Sequence, residues 1–317
     1  MAVIALDLGG TKLAAAVFTN SGQVLCRVVH LLEKRTGKSV GNLITSTIQE
    51  MRERPEPGRE QISGVGICVP GISHAKTGRV WAPNIPGWDD YPLHDEIANS
   101  VNDRNIAVTI DSDRACSILG EAWHGAAVGC SDAIFLAVGT GIGAGIMIDR
   151  RVLRGTHDIG GAIGWMALDK PFRSEYVSCG CFEYHASGEG IAKVAREYLR
   201  AEPLYTGPLR SKDPQDLTAR DIFDAETAKD PLGVRVVGEA VQYWGMAVAN
   251  LVSLFNPEKI VFGGGIFGPA VRYLGAIAAE AQHWAQPISI HQVTLEASRL
   301  GGDAGLTGAA FLACHQS

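Results

Sequence analysis

The chain has 317 residues, of which 46% are hydrophobic, and a formal net charge of −6. This mildly acidic balance gives no electrostatic reason to expect nucleic acid or an anionic membrane as a partner, and no apolar run approaches the roughly 18 residues of a membrane span. Seven cysteines, an odd number in mostly apolar or helical contexts, favour a reduced, cytoplasmic protein.

The first predicted element is a buried strand over residues 2–6, which leads through Asp7 to the turn Gly9-Gly10-Thr11-Lys12. Because an apolar run resumes at residue 13, the pattern predicts a β-hairpin whose turn presents backbone N–H groups to a phosphate. An acid beside such a turn suggests a cation that bridges to the phosphates. The turn is not a Walker A loop, since that motif opens a helix and here a strand follows.

The next elements alternate between helix and strand. Apolar residues at helical spacing predict an amphipathic helix over residues 39–53, which Pro55-Glu56-Pro57-Gly58 ends. A buried strand is predicted over residues 64–69, ended by Pro70-Gly71, and a loop rich in proline and glycine covers residues 81–88.

A β-branched strand over residues 106–110 runs into Asp111-Ser112-Asp113, from which a helix extends to about residue 124. Asp113 could be a helix N-cap or first-turn acid. It could equally be a base that takes a proton from an attacking hydroxyl in phosphoryl transfer. Asp111 competes for either role, and the pattern alone does not separate them.

The strand predicted over residues 133–138 runs into Gly139-Thr140-Gly141-Ile142-Gly143-Ala144. This sequence fits the dinucleotide fingerprint G-x-G-x-x-A, but that fingerprint needs a helix directly after it, and here a strand-like stretch follows. A second phosphate turn, formed by the Thr140 hydroxyl and backbone N–H groups, is therefore favoured over nicotinamide binding and over a turn without a ligand. We expect a hinge near residues 123–131.

Residues 154–190 are rich in loops and contain Cys179-Gly180-Cys181. Two cysteines one residue apart are too few for a structural zinc site, and neither His157 nor His185 stands at a recognisable spacing, so no metal is expected there. Three tryptophans could stack on a sugar, although ordinary packing is favoured for any one of them. They are Trp81, Trp88 and Trp165.

The last part of the chain contains a long helix over residues 237–255, a strand over residues 259–262 that feeds Gly263-Gly264-Gly265, and a closing helix over residues 304–314. Backbone without side chains at the glycine triplet could lie against a nucleotide base or ribose. Strands that alternate with helices predict an α/β protein, and the two units that open with a strand and a glycine turn form a crude internal repeat.

Taken together, these motifs resemble the ROK family of sugar kinases, both glucokinase-like and N-acylhexosamine kinase-like members, over nearly the whole chain. The matching motifs are Asp7-Leu8-Gly9-Gly10-Thr11-Lys12, Ala82-Pro83-Asn84-Ile85-Pro86-Gly87-Trp88, Ser112-Asp113, Gly139-Thr140-Gly141-Ile142-Gly143, Asn256-Pro257-Glu258 through Gly263-Gly264-Gly265, and Asp303-Ala304-Gly305-Leu306-Thr307-Gly308-Ala309. The resemblance implies the actin-like (ribonuclease-H-like) ATPase fold. Its two α/β domains, residues 1–122 with 299–317 and residues 123–298, would face each other across a central cleft.

The resemblance further implies transfer of the γ-phosphate of Mg-ATP to a hydroxyl, expected to be the 6-OH, of a hexose or hexose derivative, with Asp113 as the base. The ATP and Mg²⁺ side of the site would be formed by Asp7, Gly9, Gly10, Thr11, Lys12, Thr140, Gly141, Gly264 and Gly265. The sugar side would be formed by Gly71, Asn84, Ser112, Asp113, Trp165 and Glu183. A homodimer is also implied.

The chain departs from the family pattern on the sugar side. The family's Gly-Glu-x-Gly-His appears as Gly161-Ala162-Ile163-Gly164-Trp165, and its cysteine motif is contracted to Cys179-Gly180-Cys181-Phe182-Glu183. Both the family's sugar-contacting Glu and its zinc-binding His are absent, and Ser112 replaces an Asn. The comparison therefore implies no structural zinc and a rebuilt sugar half beside an intact ATP half.

Two other functions stay open: a sugar-binding sensor with an inactive kinase fold, and a ROK-type regulator that lacks its DNA-binding domain. Only Met1 precedes the first strand, so no helix-turn-helix is expected ahead of it. The presence of Asp7, Thr11, Asp113 and Thr140 favours an active kinase.

Overall fold

The computed structural model describes residues 1–54 and 61–315, in which twelve strands and nine α-helices form two five-stranded sheets, a small hairpin and their helical covers. The strands are β1 Ala2–Leu8, β2 Lys12–Thr19, β3 Val24–Leu31, β4 Ile62–Val69, β5 Ile72–His74, β6 Arg79–Trp81, β7 Ala107–Ser112, β8 Ala133–Val138, β9 Ile142–Ile148, β10 Arg151–Val152, β11 Lys259–Gly263 and β12 Thr294–Ala297. The helices are α1 Lys38–Glu53, α2 Leu93–Val101, α3 Asp113–His124, α4 Cys181–Ala186, α5 Gly188–Ala201, α6 Ala219–Thr227, α7 Pro231–Phe255, α8 Leu274–Trp284 and α9 Ala304–Cys314.

The first sheet has the strand order β3-β2-β1-β4-β7. Strands β1 and β2 form an antiparallel hairpin, whereas β1, β4 and β7 run parallel to one another. Residues of β1 lie in two apolar clusters, one on each face of the sheet: Ile4 packs with α1 and α2, and Val3 packs with α9. Burial on both faces explains why β1 reads as a nearly continuous apolar run.

The second sheet repeats this arrangement with the order β10-β9-β8-β11-β12. Here β8 and β9 form the antiparallel hairpin, and β11 lies parallel to both β8 and β12. The long helix α7 covers one face and buries Trp244 completely. The internal repeat predicted from the glycine turns therefore corresponds to two sheets of the same topology, and the α/β class is confirmed.

Helices α3 and α9 cross between the sheets at backbone contact. A Cβ atom on Gly308 would lie 1.7 Å from the Cys116 carbonyl oxygen, and one on Gly120 would lie 2.3 Å from the Ala304 carbonyl oxygen. Helix α3 also approaches the second sheet, since a Cβ atom on Gly145 of β9 would lie 2.0 Å from the Arg114 carbonyl oxygen. The first turn of α3 is thereby placed where the two sheets meet.

The predicted elements agree with the structure most closely where strong patterns bound them. Strand β8 and helix α9 have the predicted limits, whereas α7 begins at Pro231 rather than at residue 237, because Asp230 caps it and Pro231 occupies its first turn. The turn predicted at Pro55-Glu56-Pro57-Gly58 lies outside the described residues. In the described parts of the chain, no helix combines the length and apolar character needed to cross a bilayer.

Candidate active site

The first glycine turn joins β1 to β2. Leu8 pairs with Leu13, and the Gly9 N–H donates to the Lys12 carbonyl at 2.9 Å, so the chain reverses within four residues. A Cβ atom on Gly10 would lie 3.3 Å from the side-chain nitrogen of Asn84. The predicted phosphate turn and the predicted sugar loop therefore meet at this point.

The loop that carries Asn84 is fixed by its own hydrogen bonds and by Trp88. The Ala82 N–H donates to the Trp88 carbonyl at 2.8 Å, and the Trp88 indole N–H donates to the Gly37 carbonyl at 3.0 Å. Trp88 is completely buried and stacks on Tyr91 with 4.4 Å between ring centroids. Its role is packing, as the favoured interpretation held, and it leaves Asn84 exposed at the loop surface.

Asp113 is the first residue of α3, but it is not the N-cap. The Ser112 hydroxyl fills that role by accepting from the Ala115 N–H at 3.3 Å. The Asp113 carboxylate accepts a hydrogen bond from the Arg114 N–H at 2.8 Å, and 54% of its side-chain surface is open. Asp113 is therefore not the cap but the acid of the first helical turn, one of the two structural roles expected for it, and its carboxylate is half exposed at the start of α3.

The surroundings of Asp113 change its acidity. Although half of its surface is open, the protein atoms packed around the Asp113 carboxylate desolvate it and raise its pKa to about 6. The Arg114 guanidinium opposes this rise, and Asp7 adds to it. A carboxylate with a pKa close to neutral is matched to accept a proton from a hydroxyl group.

Asp111 ends in a different environment from Asp113. It is buried, accepts from the Ser112 N–H at 2.8 Å and pairs with Arg154, whose Nε lies 3.0 Å from its carboxylate. This pair joins the end of β7 to the segment after β10. Asp113 is therefore the carboxylate of the two that remains available to a substrate.

Asp7 lies at the end of β1, against the first turn of α9. A Cβ atom on Gly305 would lie 3.2 Å from both of its carboxylate oxygens. Burial raises the pKa of Asp7, while the Cys68 thiol and Lys12 lower it. Mg²⁺ is usually held by substrate phosphates, waters and one or two carboxylates, so a single carboxylate beside the first turn fits a cation that arrives with a nucleotide.

The second glycine turn, residues 139–141, joins β8 to β9. The Gly139 N–H donates to the Gly141 carbonyl at 2.9 Å, and β9 follows directly, which excludes the dinucleotide fingerprint. The Glu183 carboxylate accepts from the Ile142 N–H at 2.6 Å, and burial raises its pKa. Glu183, expected on the sugar side, thus lies directly behind this turn.

A cavity of about 350 Å³ opens beside the second turn, large enough for a small ligand. It is lined by Gly139, Thr140, Gly188, Glu189, Ala192, Leu217, Thr218, Ala219, Arg220, Gly265 and Ile266. The cavity therefore brings together the second turn and the glycine triplet, which the sequence assigned to phosphate and to nucleoside respectively.

Two glycines of the triplet have different reasons to be glycine. Gly264 has φ +88°, and a Cβ atom there would lie 2.4 Å from the Val138 carbonyl oxygen. At Gly265 a Cβ atom would meet no atom within 4 Å, because this residue borders the cavity. Gly264 shapes the backbone, and Gly265 keeps the cavity open.

The N-terminus of α6 forms one wall of this cavity, which was not predicted from the sequence. Residues 218–220 belong to the N-terminus of α6, where Thr218 and Asp221 form a capping box. The pattern Thr218-Ala219-Arg220-Asp221 is of the kind that marks a helix start and could have located this wall.

The segment that departs from the family pattern lies partly exposed. Trp165 ends a short 3₁₀ turn with 57% of its surface open, and His157 is exposed. His185 instead stacks on Tyr243 at 4.4 Å and lies 2.8 Å from the Tyr176 hydroxyl, and burial lowers its pKa. Among the described residues, no cluster of three or more histidine, cysteine or acidic side chains is arranged to hold a metal ion.

Sequence comparisons match this chain to two sugar kinases and to a xylose repressor. A sequence profile of the ROK family matches residues 3–316. A glucokinase from Halalkalibacterium halodurans is 32% identical over 99% of this chain and 95% of its own length. An N-acetylmannosamine kinase from Citrobacter koseri is 30% identical over 99% of both chains. A xylose repressor from Caldicellulosiruptor bescii is 31% identical over 70% of this chain and 54% of its own length.

Solved structures give the same result. A ROK hexokinase from Thermus thermophilus superposes with a TM-score of 0.79 at 30% identity, over 98% of this chain and 97% of its own. A ROK family glucokinase from Streptomyces griseus, solved with glucose and AMPPNP, superposes with a TM-score of 0.78 at 28% identity, over 98% and 99% of the two chains.

Proposed function

The chain belongs to the ROK family and is an ATP-dependent sugar kinase with the actin-like ATPase fold, and on that premise we propose its reaction. It transfers the γ-phosphate of ATP to the 6-OH of a hexose or hexose derivative, with Asp113 as the base. The observation that carries this proposal is the placement of the Asp113 carboxylate, which is half exposed in the first turn of α3, where the two sheets meet. Desolvation raises its pKa to about 6, which suits a base.

Asp113 would orient the attacking hydroxyl and accept its proton as the bond to phosphorus forms. Backbone N–H groups of the two glycine turns, with the Thr140 hydroxyl, would hold the phosphates in line with that hydroxyl. Mg²⁺, when bound near Asp7, would neutralise charge on the phosphates. The cavity bordered by Gly265 supports a nucleoside site next to the second turn.

The sugar would lie between the Asn84 loop and the start of α3. The approach of Gly10 to Asn84 supports this placement, because it brings the first glycine turn and the Asn84 loop to one wall. The Ser112 hydroxyl accepts from the helix and keeps its proton to donate to a sugar oxygen. Gly71, Trp165 and Glu183 complete the proposed sugar side, and the relatives named for glucose and N-acetylmannosamine define the substrates to test first.

The test is a coupled ADP-release assay with Mg-ATP across hexoses, amino- and N-acetylhexoses and cyclic polyols. We expect sugar-dependent ADP release that falls by about 10²–10⁴-fold in Asp113→Asn. Asp95→Asn, which changes an exposed carboxylate of α2, is the matched control and should behave as wild type. Near-normal turnover in Asp113→Asn would remove Asp113 from the mechanism.

Sugar binding without ADP release would instead favour a sugar-binding sensor with an inactive kinase fold. The similarity to a xylose repressor supports this alternative. The domain division at residues 122/123 and 298/299, the homodimer and a cytoplasmic location remain predictions. The mass of the protein in solution tests the homodimer.

A further inference from the structure

We propose that Arg114 is a positioning residue for the phosphoryl transfer, whose contacts with both sheets set its positive charge beside the Asp113 carboxylate. The proposal rests on the function proposed for Asp113. It follows from the contacts of one side chain with β9, with the turn between β4 and β5, and with the neighbouring Asp113.

The aliphatic part of Arg114 crosses β9 at Gly143. A Cβ atom on Gly143 would lie 2.8 Å from Cδ and 3.2 Å from Cγ of Arg114. The last glycine of Gly139-Thr140-Gly141-Ile142-Gly143 thus makes room for an arginine of α3. This contact gives Gly143 a task separate from phosphate binding.

The guanidinium of Arg114 reaches the turn that follows β4 in the first sheet. Its Nη2 donates to the Gly71 carbonyl at 3.1 Å, its Nε lies 4.0 Å from the Asp113 carboxylate, and only 14% of the side chain is exposed. The Gly71 carbonyl is a fixed partner, because Gly71 has φ +87° and a Cβ atom there would lie 2.2 Å from the Trp81 carbonyl oxygen. Arg114 therefore links the first sheet, the start of α3 and the second sheet.

The charges around Asp113 give this link a chemical consequence. Arg114 lowers the pKa of Asp113, and Asp7 raises it. The thiols of Cys68 and Cys116 lie nearby. Their mutual hydrogen bond, together with burial, raises the pKa of Cys68, and burial raises the pKa of Cys116, so both thiols stay neutral. Arg114 is thus the cation that favours the ionised, proton-accepting form of Asp113.

The experiment compares the pH dependence of kcat/KM for the sugar in wild type, Arg114→Met and Arg114→Lys. In wild type the acid limb should have its midpoint near pH 6, the pKa of Asp113. Arg114→Met should raise the midpoint of the acid limb by about one pH unit. Its activity at pH 5 should then fall roughly tenfold more than its activity at pH 8. Arg114→Lys should restore part of that difference.

The matched control is Arg235→Met. Arg235 lies in α7, far along the chain from Asp113, and pairs with Glu202. It should leave the limb at the wild-type position. An acid limb that stays at the wild-type pH in Arg114→Met would overturn the proposal, even if kcat falls at every pH, since a purely structural role predicts that result.

Gly143→Ala provides a second test that keeps the guanidinium but displaces the stem of Arg114. We expect it to move the limb in the same direction and to have little further effect when combined with Arg114→Ala, because that variant has already removed the clashing Cγ and Cδ atoms. If the effects of the two changes are additive, Gly143 does not act through its contact with Arg114. If Arg114→Met does not fold, the Gly143→Ala result alone decides.

The outcomes separate this proposal from the proposed function. If wild type shows sugar-dependent turnover without an acid limb near pH 6, the role of Asp113 as base fails and the role of Arg114 falls with it. If the limb is present in wild type and does not move in the Arg114 variants, only the role of Arg114 is overturned.

Discussion

Asp111 and Asp113 stand two residues apart, and the fold gives them different environments. Asp111 lies in β7, is buried and pairs with Arg154, whereas Asp113 is the first residue of α3 and half of its surface is exposed. The difference follows from Ser112, which ends β7 and caps α3, so that Asp111 belongs to the strand and Asp113 to the first turn of the helix. The sequence pattern could not separate the two acids, because the partner of Asp111 comes from a segment beyond β10.

The pKa of Asp113 predicts a cost to stability. The pKa of Asp113 is about 6 in the folded protein and 3.8 in its usual state, so the folded protein binds the proton more tightly. Protonation of Asp113 therefore favours folding at low pH, and this contribution to stability is lost as the pH rises through 6. Asp113→Asn should therefore stabilise the protein at pH 8 by about 1 kcal/mol, a figure reduced for solvent screening of a half-open group. Urea unfolding should show a smaller gain at pH 5, and an equal gain at both pH values would contradict the assignment.

The glycine triplet yields a prediction that separates ATP binding from stability. Gly265→Leu should fill the cavity and raise the KM for ATP by tenfold or so, with little change in stability, because no atom lies near its Cβ position. Gly264→Ala should instead destabilise the protein by about 2 kcal/mol, since it combines a positive φ with a clash at the Val138 carbonyl.

Urea unfolding and ATP titrations at saturating sugar measure the two effects. A wild-type KM for ATP in Gly265→Leu would show that the nucleotide binds elsewhere.

At the scale of elements, the crossing of α3 and α9 determines where the start of α3 lies. Both helices carry glycine at the crossing, so their backbones touch, and α3 is held against β9 by a third glycine, Gly145. Small residues in helices often go unnoticed in a sequence because they add little to apolar periodicity. Here Gly120 and Gly308 fix the distance between the two helices.

The crossing predicts opposite effects for two glycine-to-alanine changes in helices. Gly308→Ala should destabilise the protein by about 3 kcal/mol, because its Cβ would lie 1.7 Å from a backbone oxygen of α3. Gly238→Ala in α7 should stabilise it by about 0.5–1 kcal/mol, since its Cβ position is open and alanine favours the helix. Urea unfolding of both variants checks the pair; a neutral Gly308→Ala would mean that the helices can separate at little cost.

At the scale of the whole molecule, the sequence predicted those parts that local patterns define. Strand β8 and helix α9 were predictable because apolar runs and glycine turns mark their ends. The contact of Gly10 with Asn84, the position of Glu183 behind the second turn and the partners of Arg114 were not, since each joins distant segments. Such contacts depend on how the two sheets meet, which periodicity does not encode.

The pair of Asp111 and Arg154 predicts how strongly the two sheets depend on each other. Arg154→Met should destabilise the protein by about 2–3 kcal/mol, because it leaves a buried carboxylate without its cation. Adding Asp111→Asn should recover part of that loss, since the amide oxygen can still accept from the Ser112 N–H. Urea unfolding of the single and double variants is the measurement, and a double variant less stable than Arg154→Met would argue against this account.

The position of α9 also has a consequence for how the chain folds during synthesis. This helix supplies Leu306, Ala309, Ala310 and Ala313 to the apolar cluster that covers one face of β1, β2 and β4. The ribosome makes those strands before it makes α9, which follows every other described element in the chain. The first sheet therefore waits with an uncovered apolar face while the rest of the chain emerges, and this interval is when the nascent protein is most exposed to aggregation and most in need of a chaperone.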